Sequence, residues 1–275
     1  MATVLVESPR THVRVVRLNR PERLNAMSIE LVVDLEKTLR EVGRDNDCHV
    51  VVLAGAGRAF CSGLDLKDHS AIPDVDGLTV PRIGPRAIRL YSRVVPAMRE
   101  IPQPIIAAVH GAAYGGGLCL TLAADLRIAA ASAVFNATGI VNGLTSTELG
   151  ASWLLPRLIG AAQANDILYT GRRVPADEAL RMGLVSRVVP DERLLDEALA
   201  VAEDMTRFSP YGLQMTKQVI WANLENPSLA AAIELEDRNQ IMLGMTDNLP
   251  EAIDAFDAQR VPRYTDEPRR GIYKP

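Results

Sequence analysis

Aromatic residues make up only 4% of this 275-residue chain, and cysteine and histidine are rarer still, at three and four copies. The three cysteines, Cys48, Cys61 and Cys119, are odd in number and each sits in or beside an apolar run. That argues against a disulfide framework and for a reducing, cytoplasmic setting. The histidines His12, His49, His69 and His110 show no pair at i and i+4 beside a carboxylate, so no metal site is expected. Charge of one sign does not dominate either. Lys plus Arg total 30 against 34 for Asp plus Glu, without a long block of either, so neither nucleic acid nor a polybasic contact with membrane is an expected partner. Long hydrophobic runs are also missing. The run 105–109 is far short of the ~20 residues of a membrane span, and Glu7 and Arg10 interrupt the N-terminus before any apolar stretch of secretory length. A soluble α/β protein is the expectation, its 48% hydrophobic content sufficient for a core of ordinary density.

What is present is an alternation of strand and helix patterns. Residues 13–18 read as a strand, broken by Asn19-Arg20-Pro21. Ser28 is the predicted N-cap of a helix with Ile29, Leu31, Val32, Leu35 and Leu39 on one face and Glu36 and Arg40 paired on the wet side. Residues 50–53 form a short apolar run of the kind buried on both faces of a parallel sheet. Residues 68–85, with three prolines, two glycines and no period, predict a surface loop. A helix is expected over 87–100, a strand over 105–109, a small-residue helix over 118–124 and a strand over 126–130. From Ala176 the pattern is mainly helical, with helices over 194–205, 213–224 and 228–243. Ser209-Pro210 divides a core of residues 1–208 from a C-terminal helical region of residues 209–275.

Two glycine-centred turns are the candidates for chemistry. Gly115-Gly116-Gly117 precedes a helix, so its N–H groups can converge on an acceptor, assisted by the partial charge of the helix N-terminus. For an isolated triple glycine, close helix packing is the simpler account. The other turn, Ser62-Gly63-Leu64-Asp65-Leu66, follows the 50–53 strand, and Asp65 is suited to order it.

With Asn19-Arg20-Pro21-Glu22-Arg23-Leu24-Asn25-Ala26 before these turns, Pro104-Ile105-Ile106-Ala107-Ala108-Val109-His110-Gly111 between them, and Trp153-Leu154-Leu155-Pro156-Arg157-Leu158-Ile159-Gly160 and Thr170-Gly171-Arg172-Arg173 after, the chain resembles the enoyl-CoA hydratase/isomerase (crotonase) superfamily over nearly its whole length. The resemblance implies a spiral of β-β-α turns and a C-terminal helical region that assembles trimers, or hexamers as dimers of trimers. It implies an acyl-CoA thioester substrate held beside the backbone amides of Leu64 and Gly116, and no cofactor beyond coenzyme A as part of that substrate. Arg23, Leu24, Ser62, Leu64, Asp65 and Leu66 would line the coenzyme path. A thioester carbonyl gains negative charge as its α- or γ-proton leaves, and each fixed amide donor stabilises the enolate by about 3 kcal/mol.

The chain departs from the family's hydratases at both of their acidic positions, which here are Cys119 and Thr138-Gly139. Cys119, among Leu118, Leu120 and Leu122, reads as a small core residue. Glu148 falls where the isomerases carry an acidic base, once one inserted residue is assumed; it equally fits a helix N-terminal acid capped by Ser146 or Thr147. Asn136, Asn142 and Ser146 are polar candidates for positioning substrate or water, His69 is a loop histidine within possible reach, and Arg157 and Asp125 read as structural partners. Three functions compete: an isomerase with Glu148 as base, a non-catalytic acyl-CoA-binding protein, and a hydratase of unusual chemistry.

Overall fold

The computed structural model describes residues 2–67 and 72–267. A hairpin of β1 (Val4–Arg10) and β2 (Val13–Leu18) leads through a 3-10 turn at Pro21–Arg23 to α1 (Ile29–Gly43). The Ser28 side chain caps α1 by accepting from the Leu31 N–H, and Leu31, Val32, Leu35, Leu39 and Val42 form its buried face. Next come β3 (Val50–Gly55), α2 (Val80–Ser92), α3 (Val94–Glu100), β4 (Ile105–Val109), β5 (Ala112–Tyr114) and α4 (Gly116–Ala123). They are followed by β6 (Leu126–Ala130), β7 (Val134–Asn136), α5 (Ala151–Ile159), α6 (Ala161–Thr170), β8 (Arg173–Pro175), α7 (Ala176–Arg181), β9 (Arg187–Val189) and α8 (Leu194–Thr206). Three helices close the described chain: α9 (Pro210–Asn223), α10 (Leu229–Gly244) and α11 (Asn248–Asp257).

Six strands form one sheet in the order β1-β2-β3-β4-β6-β9, parallel except for the β1–β2 hairpin. A second layer is the sheet β5-β7-β8, continued by single parallel bridges between Cys61 and Ala113 and between Met27 and Leu64. Each chain turn thus lays one strand in the large sheet, a short extended segment in the second layer and a helix across it, the β-β-α spiral of the crotonase fold. Alternation within the strands explains why the large sheet is buried on both faces. Val51, Leu53, Ile105, Ala107 and Val109 point into the core beneath α1, α3 and α4. Val50, Val52, Ile106, Ala108 and Ile128 meet Leu194, Ala198, Leu199 and Ala202 of α8 on the other face.

Two sequence expectations need correction. The loop predicted over 68–85 ends early, because α2 starts at Val80, with Thr79 as its N-cap and Pro81 in the first turn, where a missing N–H costs nothing. Pro85 inside α2 frees only a carbonyl on an exposed helix face. The single helix predicted over 87–100 is two helices that meet at Arg93, where the backbone stays helical but Pro96 cannot donate to the preceding turn.

One buried cation fastens α9 to the spiral. Lys217 Nζ donates to Met98 O and Gln103 O, both at 2.8 Å, and lies 3.1 Å from Asp125 Oδ2. Asp125 also accepts from Ile105 N–H and Trp221 Nε1, which bears out its reading as a structural partner. Burial lowers the Lys217 pKa, against the raising influence of Asp125. Beyond α9 the pattern reverses: α10 buries no residue. No helix among the described residues is long and apolar enough to cross a membrane.

Candidate functional site

The segment 20–27 is zipped along 62–65. Asn25, fully buried, donates to Ala56 O and Ala59 O and accepts from Arg20 N–H, which fixes Leu24 and Asn25 in left-handed conformations. Ser62 N–H donates to Leu24 O, Met27 N–H to Gly63 O, and Asp65 N–H to Met27 O. Asp65 is buried between Arg23 at 2.7 Å and Arg20 at 3.0 Å, and its Oδ1 accepts from Lys67 N–H. Burial pushes its carboxyl up, but the Arg23, Lys67 and Arg20 contacts outweigh it and hold the pKa below the ordinary value. The structure therefore brings Arg23, Leu24, Ser62, Leu64, Asp65 and Leu66 into one stretch, with Asp65 ordering the turn and the Leu64 and Leu66 side chains exposed.

Backbone alternation aims the Leu64 amide. Because Gly63 O and Asp65 N–H both bond Met27, the Leu64 N–H faces the opposite side, where Cys61 pairs with Ala112 and Tyr114 of the β5 strand leading to α4. Gly116 is the first residue of α4, so its N–H has no partner within the helix and carries the partial positive charge of the terminus. The sequence expectation that this helix begins at Leu118 is thus shifted to include the glycines. Close approach demands them: a Cβ on Gly116 would overlap Met27 Sδ, and one on Gly117 would overlap Cys61 O.

Glu148 belongs to the same neighbourhood. A Cβ placed on Gly115 would lie 2.6 Å from Thr138 Oγ1, 3.1 Å from Glu148 Oε1 and 3.9 Å from Gly63 Cα. One point above the triple glycine therefore gathers the Glu148 carboxylate, the Thr138 hydroxyl and the turn that carries the Leu64 amide. Among the described residues the Glu148 carboxylate has no hydrogen-bond or ion-pair partner, and burial pushes its pKa above the ordinary value. The reading of Glu148 as a helix N-terminal acid does not hold. The following helix, α5, starts at Ala151 with Gly150 as its N-cap and no acidic residue in its first turn. Instead, Glu148 O accepts from Ala151 N–H across Leu149 and Gly150, both at positive φ. A leucine held left-handed at φ 45° is a strained position of the sort that clusters at functional sites.

Cys119 is buried, with its thiol pKa pushed well above the ordinary value by burial and by the nearby Glu148. Its Sγ donates to the Glu148 backbone carbonyl at 3.4 Å, so it steadies the carboxylate's own segment. Gly139 leaves no room for any side chain, since a Cβ there would overlap Thr145 O. The other polar candidates have structural work: Asn136 Nδ2 donates to Gly171 O and Arg172 O, while Ser146 Oγ donates to Ala137 O and accepts from Ile140 N–H. Arg157 stacks on Trp153 at 3.9 Å and donates to its carbonyl. Asn142 is exposed, and His69 lies outside the described residues. Sequence reasoning missed Met27 and the convergence of Thr138 on Gly115, for which no local pattern exists.

The family model described as enoyl-CoA hydratase/isomerase matches residues 9–267. The chain belongs to the enoyl-CoA hydratase/isomerase family. It is similar to a probable enoyl-CoA hydratase of Mycobacterium tuberculosis strain H37Rv, at 48% identity over 97% of this chain and 94% of that protein. It is also similar to the human mitochondrial Delta(3,5)-Delta(2,4)-dienoyl-CoA isomerase, at 39% identity over 77% of this chain and 66% of that protein. The crystal structure of a probable enoyl-CoA hydratase/isomerase from Mycobacterium abscessus superposes with a TM-score of 0.92 at 46% identity, covering 96% of this chain and 99% of that one.

Proposed function

We propose that this family member is an acyl-CoA isomerase in which Glu148 moves a proton between carbons of an enoyl or dienoyl thioester. The observation that carries this reading is a half-buried carboxylate above Gly115, without a partner among the described residues, where both hydratase acids are replaced and one of their positions has no space. In the proposed cycle the Leu64 and Gly116 N–H groups hold the thioester oxygen, and Glu148 takes the α- or γ-proton. The electron pair spreads into a dienolate, and Glu148 returns the proton to the other carbon. The coenzyme handle lies along Arg23, Leu24, Ser62, Asp65 and Leu66. The single carboxylate favours proton transfer over addition of water, which needs one group to activate water and another to protonate carbon.

Hydration of crotonyl-CoA is accordingly expected to be ~100 to 10,000-fold slower than in a hydratase with both acids. Cys119→Glu alone is expected not to restore it, because the partner acid at Gly139 has no room. Ordinary hydratase turnover by the wild-type protein, followed by loss of enoyl absorbance, would refute the reading.

The same reading includes a homotrimer or a dimer of trimers. Phe256 is 82% exposed, Leu229 77% and Ile241 61%, and with Leu249 and Ile253 they leave exposed apolar side chains along the C-terminal helices, available to a subunit contact. Light scattering at micromolar concentration is expected to give three or six times the 29.9 kDa chain mass; a monodisperse monomer would remove this part.

A further inference from the structure

We propose that the groove between residues 73–78 and α2 binds a small ligand carrying two or more phosphate groups. Arg82, Arg86, Arg89 and Arg93 line this cavity of about 480 Å³, together with Pro73, Asp74, Leu78, Pro81, Pro85 and Leu90. At 3.6 residues per turn these four arginines fall within an arc of roughly 60°, along about 16 Å of helix. Like charges at such spacing oppose helix formation, and α2 already contains Pro85 and Gly84 and no acidic residue in its first turn. Several other arginines find acids: Arg17 pairs with Glu7, Arg40 with Glu36, Arg187 with Glu197 and Arg260 with Glu251. Among the described residues none of the four groove arginines forms an ion pair. Arg86 donates to the Asp74 backbone carbonyl rather than to a carboxylate, and among the described residues Asp74 is the one acid of the lining.

A cationic stripe without ion pairs among the described residues, on a chain of net charge −4, is a separation of charge that folding does not need. Its shape narrows the partner. The site is a concave groove of ligand-pocket size, with guanidinium forks matched to phosphate oxygens and Pro73, Leu78 and Leu90 available to an apolar ring. Two sources offer that chemistry, the phosphorylated adenosine end of coenzyme A and a free nucleotide.

The test is titration calorimetry with adenosine 3′,5′-bisphosphate on the wild-type protein and on an Arg82→Gln/Arg89→Gln double variant. Both arginines are exposed and neither makes a side-chain bond among the described residues, so the variant is expected to unfold at the wild-type temperature. The expected result is binding to wild type, weakened at least about tenfold in the variant, since each charge-assisted contact is worth that much. Repeating the titration with coenzyme A at saturation separates the sources. Abolished binding assigns the groove to the coenzyme's phosphates, and retained binding assigns it to a free nucleotide. No heat at millimolar bisphosphate, or equal affinity in both proteins, overturns the proposal. These readouts involve no proton transfer, so they stand or fall apart from the role proposed for Glu148.

Discussion

Glu148→Gln is expected to abolish isomerisation and solvent exchange of α- and γ-protons, a loss of ~100 to 10,000-fold, while leaving acyl-CoA affinity within a few-fold of wild type. The amides of Leu64 and Gly116 and the Asp65-ordered turn do not depend on the carboxylate, so binding survives its removal. Stability should move the other way. Burial raises the Glu148 pKa, which means that the folded protein holds this proton more tightly than the unfolded chain. Stability attributable to this group is therefore greatest below the ordinary carboxylate range and falls as pH rises through the raised folded value. Gln removes that penalty, so at neutral pH the variant should unfold at the same temperature as wild type or higher. A helix-dipole acid would instead lose about 0.3–1 kcal/mol on substitution. Activity follows ionisation of the same group: kcat/KM of the wild type should climb with pH through a value above that of a free carboxylate and then level. A flat profile, or activity that survives Glu148→Gln, would redirect attention to Thr138 or to His69.

Lys217→Met is expected to be the most destabilising single change outside the site, by about 3–5 kcal/mol. The ammonium holds two backbone carbonyls and Asp125 in a buried pocket; Met matches its length but donates nothing. With total stability of about 5–15 kcal/mol for a domain, the loss should be plain in urea unfolding at fixed protein concentration. Adding Asp125→Asn should recover part of it, because the stranded carboxylate charge is then removed. A shift under 1 kcal/mol for Lys217→Met would show that α9 is held by its apolar contacts alone.

Local pattern carried much of the fold. The strands at 13–18, 105–109 and 126–130 and the Ser28 cap were legible because alternation, β-branching and capping act within a few residues. The hairpin strand β1 was not, since its residues are mostly exposed and lack a buried face to betray them. Short strands β5, β7 and β8 owe their form to pairing in the second layer, which no three-residue pattern encodes. Of the site, the glycine turns were legible as motifs, and the loss of both hydratase acids could be read residue by residue. Two things were not: that Gly139 is closed by the Thr145 carbonyl, and that Glu148 lies outside helix α5. Both depend on how the 137–150 segment folds back on itself, where Ser146 bonds Ala137 and Ile140 across the chain.

The most direct test is to incubate the wild-type protein with 2-enoyl-, 3-enoyl- and dienoyl-CoA thioesters in deuterated water and follow the products by mass spectrometry. The expected result is a thioester of shifted double-bond position, or deuterium at the α- or γ-carbon, without the mass of an added water. Rapid formation of 3-hydroxyacyl-CoA, or tight thioester binding with no deuterium entering any member of the panel, would contradict a proton-shuttling role for Glu148.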